Sequence, residues 1–379
     1  MIKVYNKAIL PLGFKANAVS CGIKKSGKLD LALIYSVFPA RAACKFTTNK
    51  LAAAPIRLNK KILKRQKYFQ AIITNSGNAN AFTGVKGFRD AENLALGAAR
   101  ALKINRESVL VNSTGVIGIR LPLDKIKHAL APLARGLSHS GMNKAALGIL
   151  TTDTFAKEVT VKFGLGNATV TICGIAKGAG MIAPNMATML CFIMTDAHIA
   201  QQALDKALDL AVADSFNCIT VDGCMSTNDS VMLLANAKAG NPIIETNRNF
   251  GAFSKSLKIL CLELAKLVVK DAEGSTKFIQ INVKGAKNSQ QAKIAALAIA
   301  NSALFKAAAY GENPNFGRIV AAIGASGINV KEEAIRMRVS PLNKKEIKVD
   351  VSLGGGKGSA TVYTSDLTPE YIKINASYN

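Results

Sequence analysis

Hydrophobic and polar positions divide the chain into short stretches of two alternating periods. Residues 29–38 (LDLALIYSVF) are apolar and β-leaning and stop at Pro39, which predicts a central strand. Residues 46–49 and 52–58 read as a strand end and its continuation. A further short strand, 68–74 (YFQAIIT), ends at the turn formers of residues 75–80, NSGNAN. Residues 90–102 begin with an aspartate and repeat apolar positions every three and four residues, so they predict a helix. Residues 109–111 are a strand entering the Gly-containing turn NSTGVIG, and 123–137 a second helix. Residues 149–154 read as a strand edge with four consecutive polar side chains, and 159–163 with 168–173 as a hairpin around GLGN.

In the second half, MLCFIMTD after Thr188 reads as a buried strand. Residues 203–216 place apolar side chains at 204, 207, 208, 211 and 212, one face of an amphipathic helix. A strand at 218–221, a long helix at 250–270, a strand at 278–283 and a helix at 289–302 follow. Residues 348–353 and 360–364 flank GGGKG; without the phosphate-loop spacing or a following helix, that run predicts a hairpin turn. Strands and helices mix without steady alternation, and several hairpins occur. The expected class is therefore α/β, with layered mixed or antiparallel sheets and helices.

At 379 residues with 49% hydrophobic and 19% charged residues, the chain suits an ordered globular protein of two or three domains. The formal charge of +25 raises a nucleic-acid or anionic-membrane partner. The lysines are dispersed, however, apart from Lys60, Lys61, Lys64, Arg65 and Lys67, and no recognition motif accompanies them. A lysine-rich surface is the favoured reading, with no specific nucleic acid and no membrane as partner. Seven cysteines without a C-x-x-C pair argue for reduced thiols and a cytoplasmic protein. Three histidines without H-E-x-x-H make a metal site unexpected. The N-terminus does not read as a signal peptide, and no apolar run approaches the length of a membrane span.

Residues 177–190, KGAGMIAPNMATML, combine more unusual local choices than any other stretch. Gly178 and Gly180 loosen the backbone, Pro184 stiffens it, and Thr188 stands at a strand entrance. Thr188 is either a turn residue bonding its own backbone or a nucleophile freed as a new N-terminus by cleavage of Ala187-Thr188. The loop at Thr114 and Gly115 is either an ordinary turn or a presenter of oxyanion donors. Glu273 sits at a helix C-terminus, where a carboxylate opposes the helix dipole, a local rule broken in the way functional residues break it.

These stretches resemble, in order and over essentially the whole chain, the glutamate N-acetyltransferase / ornithine acetyltransferase family of arginine biosynthesis. The shared motifs are KLDLALI, FTTN with AAPI, NSGNANAFTG, VNSTGVIG, ILTTDTF, KGAGMIAPNMATML, VDGCMSTND, DAEGSTK, PNFGRI and LTPEYIKIN. The resemblance implies self-cleavage at Ala187-Thr188 into chains 1–187 and 188–379, which stay intertwined as an α2β2 assembly of one layered α/β fold. It implies Thr188 as nucleophile, Thr114 and Gly115 as oxyanion hole, and Thr151, Lys177, Thr188, Glu273, Asn375 and Asn379 as substrate contacts. It implies ping-pong acetyl transfer from N2-acetyl-L-ornithine to L-glutamate without cofactor, and acetyl-CoA as a donor in some members. Cys224 stands where the family commonly carries an acid, and the chain stops at Asn379 where members commonly reach Ser or Thr. A self-processing amidase with the same threonine, passing the acyl group to water, is the rival enzyme class.

Overall fold

The computed structural model of the protein describes residues 1–183 and 189–377; residues 184–188 and 378–379 lie outside the described residues. Two compact units divide it: Met1–Gly178, Asn185–Ser215 and Met225–Leu264 form the first, and Ala179–Pro184, Phe216–Cys224 and Ala265–Asn379 the second.

The first unit holds nine strands: β1 (Ile2–Tyr5), β2 (Phe14–Val19), β3 (Leu31–Phe46), β4 (Phe69–Asn78), β5 (Val109–Val116), β6 (Lys157–Leu165), β7 (Ala168–Lys177), β8 (Leu190–Thr195) and β9 (Ser230–Ala235). Their path runs β1-β6-β7-β8-β9-β3-β4-β5, with β2 on β3. Sixteen-residue β3 serves two sheets. Its first half pairs β2 and β4, its register shifts between Tyr35 and Ala40, and its last residues pair β9. Two ladders are parallel, β4–β5 and β8–β9. The others in this unit are antiparallel, which makes it a mixed architecture.

Strands β7, β8 and β9 are buried on both faces, which is why they read as continuous apolar runs rather than as alternation. Cys173, Ile175, Phe192, Met194, Met232 and Leu234 enter one core with Leu33, Ile34, Ile72 and Val111 from the other sheet. On the opposite face lies helix α6, the sixth in chain order, after α1 (Ala54–Leu63), α2 (Gly84–Leu102), α3 (Leu123–Arg135), α4 (Met142–Gly148) and α5 (Gln201–Ala213); it spans Phe250–Lys270. Gly174 lets it approach: a Cβ there would stand 2.8 Å from side-chain carbons of Leu260 and Leu264. Burying a side chain such as Phe192 contributes about 1.5–3 kcal/mol, so these central strands are the firmest part of the unit.

The second unit holds a four-stranded sheet in the order β11-β12-β10-β13, from β10 (Phe278–Ala286), β11 (Arg336–Val339), β12 (Glu346–Ser352) and β13 (Gly358–Ser365). Helices α7 (Ser289–Ala300), α8 (Ala303–Tyr310), α9 (Gly317–Gly324) and α10 (Pro369–Ser377) complete it. Ala292, Ala295, Ala296 and Ile299 of α7 enter a core with Ile279, Ile281, Val349, Val351 and Val362. No single helix among the described residues is long and apolar enough to cross a membrane. The bent pair α7 and α8 has the length and composition, but Ala295, Ile299, Phe305 and Ala309 of that pair lie inside the unit's core.

Six expectations are corrected. Residues 52–58 are not strand: Pro55 stands in the first turn of α1, where its missing N–H is harmless, and Ile56, Leu58 and Ile62 are buried along one face. Residues 75–78 continue β4 rather than turning, because their polar groups pair with β5. Residues 112–116 likewise prolong β5 instead of forming a turn. Residues 149–154 form a bent connection between α4 and β6, and in place of a strand at 218–221 the 3-10 turn Phe216–Cys218 ends and Ile219 makes a single bridge to Tyr363. Finally, β12 and β13 are not a hairpin: β10 lies between them, parallel to β12 and antiparallel to β13.

Candidate active site

At the ends of β4 and β5 the two chains come unusually close. Gly77 faces Gly115, and the register then slips so that Asn78 faces both Thr114 and Val116. Gly115 has φ +133°, and a Cβ on it would stand 2.3 Å from the Gly77 carbonyl carbon and 2.4 Å from the Asn78 nitrogen. Only glycine fits. Polar side chains brace the pair from within: Ser113 Oγ donates to Asn75 Oδ1 at 2.6 Å, and Asn75 Nδ2 donates to the Asn78 carbonyl at 2.8 Å. Asn228 Nδ2 donates to the carbonyls of Ala79 (2.6 Å) and Ser113 (2.8 Å), so the STND stretch locks the same corner.

Thr114 and Thr151 meet at Lys177, the last residue of β7. Lys177 Nζ donates to Thr151 Oγ1 at 2.7 Å and to Thr114 Oγ1 at 3.3 Å. Three residues expected to contact substrate or oxyanion from separate stretches of sequence are therefore hydrogen-bonded together. An ammonium has donors and no acceptor, so both hydroxyls accept from it and each keeps its own proton to donate elsewhere.

Asp153 holds this arrangement in place. Its carboxylate accepts from the Thr151 N–H (3.0 Å), the Gly178 N–H (2.7 Å) and Lys157 Nζ (2.7 Å), and lies 3.8 Å from Lys177 Nζ. Asp153 and Lys157 side chains are fully buried. Burial alone would raise the Asp153 pKa; the charges of Lys177 and Lys157, with the hydrogen bonds it accepts, outweigh that and hold it well below the usual carboxylate range. Lys24 also lies within electrostatic reach, and burial lowers its pKa to about 8.

Asp229, just before β9, is completely buried. Its Oδ1 accepts from the Met189 N–H at 2.8 Å, and burial raises its pKa well above the ordinary value against the opposing effects of that bond and of Lys177.

In the second unit, Asn375 Nδ2 donates to Glu273 Oε2 at 2.8 Å, joining two more of the expected residues. The Glu273 N–H donates to the Ala179 carbonyl at 3.0 Å, and a Cβ on Gly180 would stand 2.2 Å from Glu273 Oε2. Gly180 is thus glycine because the carboxylate occupies its side-chain space. Asp222 accepts from the N–H groups of Met181 (2.6 Å) and Ile182 (2.9 Å) and from the Tyr371 hydroxyl (3.1 Å). It secures Met181, whose φ of +57° is unusual for a residue with a side chain. Cys224 is exposed, with its N–H on Asp222 Oδ1.

Ala187, Thr188 and Asn379 lie outside the described residues. Sequence reasoning missed Asp153, Lys157, Asp222 and Asp229 as supports. The polar run at 151–154 was the available signal for Asp153, whereas its pairing with Lys157 and Lys177 needed the fold.

The ArgJ family matches residues 15–343 and 337–379 of the chain. Arginine biosynthesis bifunctional protein ArgJ of Geobacter sulfurreducens is 45% identical over 388 residues, covering 97% of this chain and 98% of that protein. Its counterpart of the same name in Caldanaerobacter subterraneus subsp. tengcongensis is 44% identical, with 98% of each covered. Among solved structures, ornithine acetyltransferase complexed with ornithine from Mycobacterium tuberculosis is 37% identical over 48% of this chain and 98% of that one, with a TM-score of 0.45. With matches of this identity running from near one end to the other, the chain belongs to the ArgJ family.

Proposed function

We propose that the protein transfers the acetyl group of N2-acetyl-L-ornithine to L-glutamate through an acyl-enzyme on Thr188, after cutting itself at Ala187-Thr188 into chains 1–187 and 188–379. The observation that carries this is the Lys177 hub. It makes acceptors of Thr114 and Thr151, so the Thr114 hydroxyl keeps its proton for an oxyanion, and it lies at the start of the stretch that contains Thr188.

An acetamide is a poor electrophile and needs both an activated nucleophile and donors for the developing charge. Thr188 Oγ attacks the acetyl carbonyl, and its α-amine, with a reference pKa of about 7.7–8.0, takes the Oγ proton. Thr114 and the Gly115 backbone stabilise the oxyanion, and ornithine leaves with the proton returned. The α-amine of glutamate then attacks the ester and regenerates the hydroxyl. Lys177 and Thr151 serve one part of the amino-acid substrate; Glu273, Asn375 and Asn379 serve its other polar groups. No step needs a metal or organic cofactor, and acetyl-CoA is an alternative donor of the same group. We assign the protein to the cytoplasm as an α2β2 assembly, without a specific nucleic-acid or membrane partner.

Mass measurement of the purified protein under denaturing conditions tests the cut. Two fragments are expected, the second beginning with threonine, and Thr188→Ala leaves one uncut chain. Initial rates at several fixed acetylornithine concentrations should give parallel lines, and acetylornithine alone should add one acetyl mass to the second fragment. An uncut, fully active wild type would refute the proposal. Rapid acetylornithine hydrolysis without glutamate would make the protein an amidase.

A further inference from the structure

Resting on the assignment of Glu273 and Asn375 to substrate, we propose that Tyr371 and Asp222 are positioning residues for that pair. They hold α10 against Glu273, so that Glu273 Oε1 stays open to the side-chain ammonium of acetylornithine. All of these residues belong to the second unit. None of the nine residues of α10 is buried, and a helix of that length without an apolar seat is marginal in water. Its place is set by polar links. Thr368, just before it, donates through Oγ1 to the Gly274 carbonyl at 2.7 Å and accepts the Tyr371 N–H at 3.1 Å. The Tyr371 hydroxyl donates to Asp222 Oδ2 at 3.1 Å. Asn375, four residues on and therefore on the same helix face, donates to Glu273 Oε2 at 2.8 Å. Gly274 permits the approach: its φ is +63°, and a Cβ there would stand 2.6 Å from the Tyr371 nitrogen.

Asp222 is the fixed end of this arrangement. Besides the Met181 and Ile182 N–H groups on its carboxylate, the preceding Val221 donates its N–H to the Ile182 carbonyl at 2.9 Å. The Val221 carbonyl in turn accepts from the buried Lys306 Nζ, which also donates to Thr364 Oγ1 at 3.1 Å. The circuit closes through Glu273, whose N–H is on the Ala179 carbonyl, two residues before Met181. Both carboxylate oxygens of Glu273 lie over Gly180, and Asn375 occupies Oε2. Oε1 has no hydrogen-bond donor among the described residues. A carboxylate oxygen left in this state suits an ammonium. Acetylornithine carries one on its side chain, its α-nitrogen being acylated, whereas the side chain of glutamate ends in a carboxylate.

The test is a double-mutant cycle in the full chain: Tyr371→Phe, Asn375→Ala and the pair, each with KM and kcat for both substrates. Tyr371→Phe loses one hydroxyl and keeps its ring. It should raise KM for acetylornithine about tenfold and leave kcat within about threefold. KM for glutamate should change by less than about twofold. In the Asn375→Ala background the same substitution should add no more than about twofold, because the two residues act through one link. A residue that only stabilised the fold would give additive effects. Asp222→Asn, which keeps a single acceptor oxygen, runs the same cycle if Tyr371→Phe does not fold. An unchanged KM in Tyr371→Phe while Asn375→Ala raises it, or additive effects, would overturn the positioning role. Equal rises for the two substrates would overturn the ammonium assignment. Asn375→Ala with wild-type KM would instead remove Asn375 from the proposed substrate site, so the two failures are distinguishable.

Discussion

Replacing Gly115 with alanine tests whether the close approach of β4 and β5 organises the centre. The new Cβ would lie 2.3 Å from the Gly77 carbonyl carbon and 2.4 Å from the Asn78 nitrogen. Relaxed contacts between carbon atoms lie at about 3.5–4.0 Å, so one strand end must move by roughly 1 Å or more. The obstacles are backbone atoms held by the Asn75, Ser113 and Asn228 bonds, with no flexible side chain to yield. Overpacking of this kind costs about 1–3 kcal/mol, and forcing an L residue to a positive φ adds ~1–2 kcal/mol. The sum is ~2–5 kcal/mol. Gly118 supplies the control: its φ is +87°, yet a Cβ there would meet nothing within 4 Å. Gly118→Ala should therefore show only the backbone contribution, ~1–2 kcal/mol. Denaturant unfolding of both variants separates the steric part. Because a misplacement of about 1 Å near reacting groups costs on the order of 10²-fold in rate, acetyl transfer should fall by that scale in Gly115→Ala and little in Gly118→Ala. Equal stability and full activity of the two variants would refute the account.

Asp153→Asn removes the carboxylate that pairs with the fully buried Lys157, and the expected loss is about 3–5 kcal/mol by denaturant unfolding. The same group has a signature in acid. With its folded pKa depressed, its stabilisation is complete above the unfolded value near 4 and is lost as pH falls through the lower folded value. Wild-type stability should fall more steeply below pH ~4 than that of Asp153→Asn, and identical slopes would contradict the pairing. Gly180→Ala places a Cβ 2.2 Å from Glu273 Oε2 and should displace the carboxylate. KM for the amino-acid substrate should rise about tenfold with a smaller change in kcat, the scale of one charge-assisted hydrogen bond; unchanged KM would remove Glu273 from substrate binding.

The legible parts of the fold were those whose local pattern agreed with their surroundings. Strand β8 announced itself as an unbroken apolar run, and the β6–β7 hairpin by its turn residues, because both depend on neighbours close in sequence. The β12–β13 pairing was misread because nothing local shows that β10, some seventy residues earlier, inserts between them. The NSGN and NSTG stretches looked like turns for a related reason. Polar side chains and glycines usually face water, but here they satisfy one another inside a parallel pair. For the centre, individual motifs located Thr114, Thr151 and Lys177, whereas their convergence is a product of the sheet. Asp229 carries no local mark, and the polar run around Asp153 does not show its partners, since each gains its role only from what burial places against it.

Strand β8 lies between β7 and β9, and β9 in turn lies on β3, so the proposed cut falls between two neighbours in one ladder. Opening the peptide bond at Ala187-Thr188 removes none of the hydrogen bonds between those strands. If that cut is made as proposed, it alters how the protein is made and remade. The precursor folds as a single chain, with β7 and β8 brought together at the effective concentration of a short connection. Once cut, the same ladder joins two molecules, and rebuilding it after unfolding becomes a bimolecular event that dilution disfavours. Folding would then be a step each copy performs once. The lifetime of the mature enzyme would be governed by how slowly its interlocked strands separate rather than by an equilibrium with the unfolded fragments.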